Sequence, residues 1–330
     1  MLKRLIYLAY YFKETDWGKL KKFIYYVCEN YNYSKAFLLG DMLWSSLKYN
    51  ISPLDFFYFH FFEKGKEERL TYAGTGYMYE YQLKMNPKKT RNILENKLLF
   101  NEYYEDFIKH KYWKKTDILA DTGNLNMLPS KIIFKSTDGQ CGEGVQVIEV
   151  GQEVKQKVLD LLKTSKNDLL EEYIIQHDEL MHLSPSGLNT VRIFTQLNSE
   201  GSVDYLGARL RISVNSNVDN LAAGNIAAPI DLKTGKITGP AVYSDITMQD
   251  VMQHPVTEQK IIGFQIPYWD EVLNMTHAAA LLYPENRSIG WDVAITNDGP
   301  ELLEGNHNWC KLLWQLPVKK GLKKDLEKYL

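Results

Sequence analysis

Apolar residues recur at helical spacing through the first third of this chain, and at strand spacing in separated runs over the rest. That ordering limits the fold more than any other feature. Leu5, Leu8 and Phe12, then Trp17, Leu20, Phe23, Ile24 and Val27, fall one helical turn apart. They predict two helices broken near Glu14-Thr15-Asp16, where Thr15 or Asp16 can cap the second. Ser52-Pro53 predicts a further helix start, with proline at the first helical position. The aromatic run at residues 56–62 reads as core packing. Gly74-Thr75-Gly76 reads as a loop too short to hold phosphate, and Pro87-Lys88-Lys89-Thr90 ends the helical region. Residues 92–110 predict one more helix, carrying Lys97 behind a cap. Strands follow in groups at residues 132–135, 145–150, 168–177, 189–197 and 205–213, then a helix over 268–283 and a closing hairpin. Helices first and grouped strands afterwards is α+β ordering, not the strict alternation of a parallel βαβ sheet.

With 330 residues, 45% of them hydrophobic and 24% charged, the chain has the make-up of a globular protein large enough for two or more subdomains. A net charge of −2 gives no electrostatic case for nucleic acid as a partner. Cys28, Cys141 and Cys310 lie far apart with no zinc-ligand spacing, which fits free thiols and predicts a cytoplasmic protein. Residues 1–12 are apolar but short and tyrosine-rich for a signal peptide, and no run reaches transmembrane length. Lys3 and Arg4 among these aromatics allow at most a peripheral membrane contact. The lysine pairs at 319–320 and 323–324 read as a solvated helix face.

Three stretches carry chemistry. Lys135 ends a short strand and leads into a loop with Gly139, Gly142 and Gly144, after which an alternating strand begins. Glycines there let backbone N–H groups close on phosphate oxygens, with the lysine adding charge; a plain flexible hairpin accounts for the same pattern. Arg209 and Arg211 fall on one face of a strand, which is costly if buried unless anions meet them, and exposure or salt bridges are the alternative. In the hairpin at residues 293–304, Asp292 and Glu304 should meet at the open end, with Asn306 on the same face as Glu304. Three oxygen ligands converging on one point suit Mg²⁺, although acids facing water on a solvated hairpin give the same sequence.

Taken in order, a helix lysine, a lysine before a glycine-rich hairpin loop, Glu-Glu-Tyr-Ile at 171–174, a further Glu, strand arginines, then Asp…Glu-x-Asn resemble the ATP-grasp superfamily of carboxylate–amine ligases. More narrowly they resemble the sugar-transfer-associated ATP-grasp proteins of polysaccharide biosynthesis, over residues 72–310. The resemblance implies an ATP-grasp fold of two α+β subdomains gripping ATP. Residues 91–180 would carry the lid and residues 181–330 the Mg and substrate site, behind a helical region at 1–90. It implies ATP and Mg²⁺ as cofactors and small-molecule or sugar-linked carboxylate and amine substrates, joined through an acyl phosphate. Lys97 and Lys135 would hold phosphates under the loop of Gly139, Gly142 and Gly144. The backbone of Glu171, Glu172, Tyr173 and Ile174 would meet adenine, and Glu179, or Asp178 beside it, the ribose. Arg192, Arg209 and Arg211 would face the γ-phosphate or an anionic substrate, and Asp292, Glu304 and Asn306 the metal. His307-Asn308-Trp309 depart from the small residues usual after the Asn.

Overall fold

A computed structural model describes residues 2–139, 144–150, 155–217 and 219–330. Two antiparallel sheets organise the chain. Strands β1 (Tyr112–Lys114), β2 (Lys131–Lys135), β3 (Gln146–Glu149) and β4 (Leu169–Glu172) form a small sheet in the order β1-β4-β2-β3. Strands β5 (Val191–Leu197), β6 (Val203–Ile212), β7 (Ile226–Ile230), β8 (Ser288–Thr296) and β9 (Gly299–Asn306) form a larger one in the order β7-β6-β5-β8-β9. The small sheet buries Ile132, Phe134 and Leu170 against Val158 and Leu162 of helix Lys155–Thr164.

The large sheet is covered on both faces. Helix Trp269–Leu282 packs Val272 and Ala279 against Val191, Ile193 and Leu210. The other face sets Phe194 and Ala227 among Met78, Tyr81, Trp309 and Trp314. Central β5 is therefore buried at every residue, as expected of a strand with no solvent face.

The N-terminal region is helical, with helices Leu2–Glu14 and Trp17–Tyr31 separated where the periodicity breaks. Asp16 is the cap: its carboxylate accepts from the Lys19 N–H. At Ser52 a full capping box forms with Asp55. Gly74-Thr75-Gly76 is not a loop. Gly74 caps and Thr75 opens helix Thr75–Met85, and both glycines lie too close to Ile51 and Asn50 for a side chain. Residues 92–110 are likewise not one helix. Asn96 turns its side chain back onto the Leu98 and Leu99 N–H groups, ending helix Asn92–Glu95 and starting helix Lys97–Tyr103. Among the described residues no helix is long and apolar enough to cross a membrane.

Candidate active site

The β8–β9 register sets Asp292 directly opposite Glu304. A bulge beside Asp292 shifts the ladder by one residue, and Asn306 falls two residues beyond Glu304 on the same face. The Asn306 amide donates to Glu304 Oε1 at 3.2 Å and to the Gly290 carbonyl at 3.3 Å. Gly290 must lack a side chain here, because a Cβ would come within 2.6 Å of Trp309 Cβ. Trp309 itself is core: it packs on Phe194 and Trp314 and donates to Ser288 Oγ at 3.1 Å. His307 meets Glu95 at 3.1 Å.

Strand β5 pairs with β8 so that Arg192 lies opposite Asp292. Its guanidinium grips both oxygens of that carboxylate, with Nη2 at 2.8 Å. Arg211 donates to the same Asp292 Oδ2 at 2.8 Å and reaches Asp219 at 2.6 Å. Burial disfavours the Asp292 carboxylate, yet the two arginines hold it well below the usual carboxylate range. Glu304 stands differently. Burial, and then the charge of Asp292, raise its pKa, and no basic group lies within ion-pair distance of it among the described residues. Two carboxylates and the Asn306 amide thus come together, and Glu304 is the carboxylate without an ion-pair partner among the described residues. That donor set fits a hard divalent cation such as Mg²⁺. Among the described residues no three His, Cys, Asp or Glu side chains make a cluster of that kind.

Arg209 shares the face of Arg211 but turns elsewhere. It donates to the carbonyls of Trp314 and Ala208, its Nε has no partner, and it is 3% exposed. Burial without a carboxylate lowers its pKa to about 9.

The small sheet brings up the lysines. Lys135, at the end of β2, is ion-paired with buried Glu171 of β4. Lys97 opens its helix with its N–H on the Thr137 carbonyl at 3.0 Å, and its ammonium reaches the Gly139 carbonyl. Burial lowers the Lys97 pKa, partly offset by the charge of Glu304, while Lys135 lowers it further. Lys97 therefore stands between the loop after β2 and the acidic end of β9. Gly144 takes a positive φ of 72° beside Asn167, whose amide donates to its carbonyl at 2.7 Å; Gly142 lies outside the described residues.

Of the four residues after β4's buried start, Glu172 and Tyr173 give their N–H groups to the Lys111 and Lys131 carbonyls, and Ile174 takes no part in these bonds. Glu179 is exposed on helix Asp178–Leu183, and Asp178 beside it contacts Asn297 in the β8–β9 turn.

Sequence reasoning missed the buried ionic link between the sheets. His110 Nδ1 lies 2.7 Å from Glu301 on β9, and Nε2 lies 3.9 Å from Glu171 on β4. The Lys109 and His110 N–H groups both donate to the same Glu301 oxygen at 2.9 Å. Burial opposes a charged imidazole, but the two carboxylates prevail and raise His110 to about 9. Burial likewise disfavours the Glu171 carboxylate, while Lys135 and His110 bring it to about 2. A lone histidine after a helix carries no spacing signal. Asp219 was hidden in the same way, inside a polar loop.

Residues 77–329 match the family described as sugar-transfer associated ATP-grasp. No curated protein matches the sequence. Among solved structures, the ATP-grasp ligase PsnB complexed with minimal precursor is similar at 14% identity and TM-score 0.42, over 74% of this chain and 64% of that one. A biotin carboxylase–β,γ-ATP complex from Campylobacter jejuni is similar at 12% identity and TM-score 0.45, over 72% and 47%. D-alanine–D-alanine ligase from Bacillus anthracis is similar at 13% identity and TM-score 0.41, over 71% and 66%. The chain spans 45% and 42% of two N5-carboxyaminoimidazole ribonucleotide synthetase structures it also matches.

Proposed function

The chain belongs to the sugar-transfer associated ATP-grasp family, and from that premise we propose that it is a Mg-ATP-dependent ligase joining a carboxylate to an amine, one of them sugar-linked. The setting is the decoration of a surface polysaccharide or its precursor. The observation that carries the reading is Glu304, a half-buried carboxylate with no ion-pair partner among the described residues, within the field of Lys97 and beside Asp292. Two carboxylates held this close repel each other unless a cation completes them.

In this reading residues 91–180 act as the lid subdomain and residues 181–330 as the metal and substrate subdomain. Asp292, Glu304 and Asn306 would hold magnesium, which when bound would supply positive charge to phosphate oxygens. Lys97 and Lys135 leave their resting partners, the Gly139 carbonyl and Glu171, for phosphate oxygens. Arg192 and Arg211, locked by Asp292 and Asp219, present fixed positive charge to the γ-phosphate or the acid substrate without reorganising. A substrate carboxylate oxygen attacks the γ-phosphorus and ADP leaves. The amine nitrogen then attacks the acyl carbon, phosphate leaves, and the amine gives up a proton. Water excluded by the lid preserves the intermediate.

Hydroxylamine trapping tests this. Incubation with Mg-ATP, hydroxylamine and a panel of amino acids and uronic acids should give a hydroxamate with at least one acid, in step with ADP release. ADP release with phosphorylated alcohol and no hydroxamate would make the protein a kinase instead.

A further inference from the structure

A cavity of about 400 Å³ opens between the N-terminal helices and the segments at residues 242–250 and 315–319, away from the groups just described. Tyr26, Tyr58 and Tyr72 line one wall, and Tyr243, Gln249 and Asp250 another. Pockets of this size, ~300–1,000 Å³, hold small ligands. The first wall precedes residue 77, so it comes from the part of the chain that the family match leaves out, whereas the second lies inside the match.

The lining selects its ligand by charge. Every ionic side chain in it already has an opposite partner: His60 with Glu63 at 3.0 Å, Lys64 with Glu68 at 2.9 Å, Asp245 with Lys22 at 2.5 Å, and Lys319 with Asp250. The three lysine–carboxylate pairs cancel, and the Glu63 carboxylate beside the His60 ring adds only negative charge, which disfavours an anionic ligand. What remains is tyrosine rings, the Gln249 amide, and the hydroxyls of Tyr26, Tyr58 and Tyr243, which have no hydrogen-bond partner among the described residues. Rings with an apolar face and a polar edge suit a ligand built the same way, with C–H groups on one face and hydroxyls around its rim.

Backbone strain falls here too. His60 and Lys319, both lining residues, hold positive φ angles of 50° and 53°, conformations that cost about 1–3 kcal/mol each for residues with a side chain and cluster at ligand sites. The cavity also touches the catalytic sheet. Val242 bridges to Ala227 of β7, and Gln315 follows Trp314, whose carbonyl anchors Arg209.

We infer that this cavity binds an uncharged pyranose unit of the sugar-linked substrate. The inference deepens the proposed ligase reading and rests on it for the word substrate, but not for the binding itself. Labelled full-length protein is applied to a printed array of neutral hexose and N-acetylhexosamine oligosaccharides beside uronate-containing ones, and Mg-ATP binding is measured separately by calorimetry. Wild type should bind neutral oligosaccharides. Tyr243→Ala should lose at least tenfold in that binding. Met248→Trp, which adds bulk at an exposed lining position and removes no internal bond, should do the same. Both should keep ATP affinity, and Met248→Trp should also keep the melting temperature, whereas Tyr243→Ala gives up packing against the core and should melt somewhat lower. No neutral oligosaccharide bound, binding confined to the uronates, or full binding retained in both variants would overturn the inference. Sugar binding without any ATP binding would leave it standing and remove the ligase reading instead.

Discussion

Lys135 is held by buried Glu171, so its ammonium is already positioned and largely covered. Charge-assisted bonds from such a group are worth about 1.5–3 kcal/mol, and Lys135→Ala should weaken Mg-ATP binding roughly ten- to hundredfold by calorimetry. Glu171 would keep only His110 and a 3.3 Å bond from Asn101, so the melting temperature should fall as well. Unchanged ATP affinity in the folded variant would remove Lys135 from the site. The sequence places Lys135 at the end of a strand before the glycines, as the structure has it, while a phosphate loop and a plain hairpin share that pattern. Its resting partner was not legible, since Glu171 becomes its neighbour only through the β2–β4 pairing. The same holds for Arg209 and Arg211. Alternation put them on one face, but only the β-sheet neighbours decide that Arg211 meets two aspartates while Arg209 turns to a carbonyl.

Among elements, the hairpin β8–β9 was the most legible, because its turn residues and flanking alternation fix both register and face. Its reach was not. Glu301 reads as a solvent-facing acid, yet it is buried and takes three hydrogen bonds from Lys109 and His110, tying the strand to the entry of β1. This link gives a pH dependence with a definite sign. His110 is raised from about 6.5 unfolded to about 9 folded, so its contribution is complete below about pH 6.5 and is lost as pH rises through 9. Glu171 acts oppositely, contributing above its unfolded value and losing that only toward pH 2. The span of the His110 shift corresponds to on the order of 3 kcal/mol. Thermal melts from pH 6 to 10 should therefore show wild type losing stability across pH 7–9.5, and His110→Gln losing less over the same range. Equal slopes would mean that His110 is neutral in the folded protein.

At the scale of the molecule, the N-terminal region is bonded to helix Lys311–Gln315, which follows β9, through a few buried groups. The Gln315 amide accepts from the Ala73 N–H at 2.9 Å and donates to the Ala73 carbonyl at 3.0 Å, and Lys311 pairs with buried Asp55 at 3.0 Å. Gln315→Leu leaves those backbone groups unsatisfied at about 1–3 kcal/mol each, so it should lower the melting temperature and hasten proteolytic nicking near residue 73. Wild-type resistance in this variant would mean that the two regions are held by packing alone. This docking had no sequence signal, because contacts between residues some 240 positions apart leave no periodicity. We propose that Asp292, Glu304 and Asn306 on the large sheet form one Mg-nucleotide site with Lys97 and Lys135. The direct measurement is a calorimetric titration of a non-hydrolysable ATP analogue into wild type and Glu304→Gln, each with and without Mg²⁺. Wild type should bind more tightly with the metal, and Glu304→Gln should lose that gain. Relieved of a carboxylate crowded by Asp292, the variant should melt at the same or a higher temperature without Mg²⁺. A magnesium gain retained in full by Glu304→Gln, or no nucleotide binding by wild type, would contradict the account.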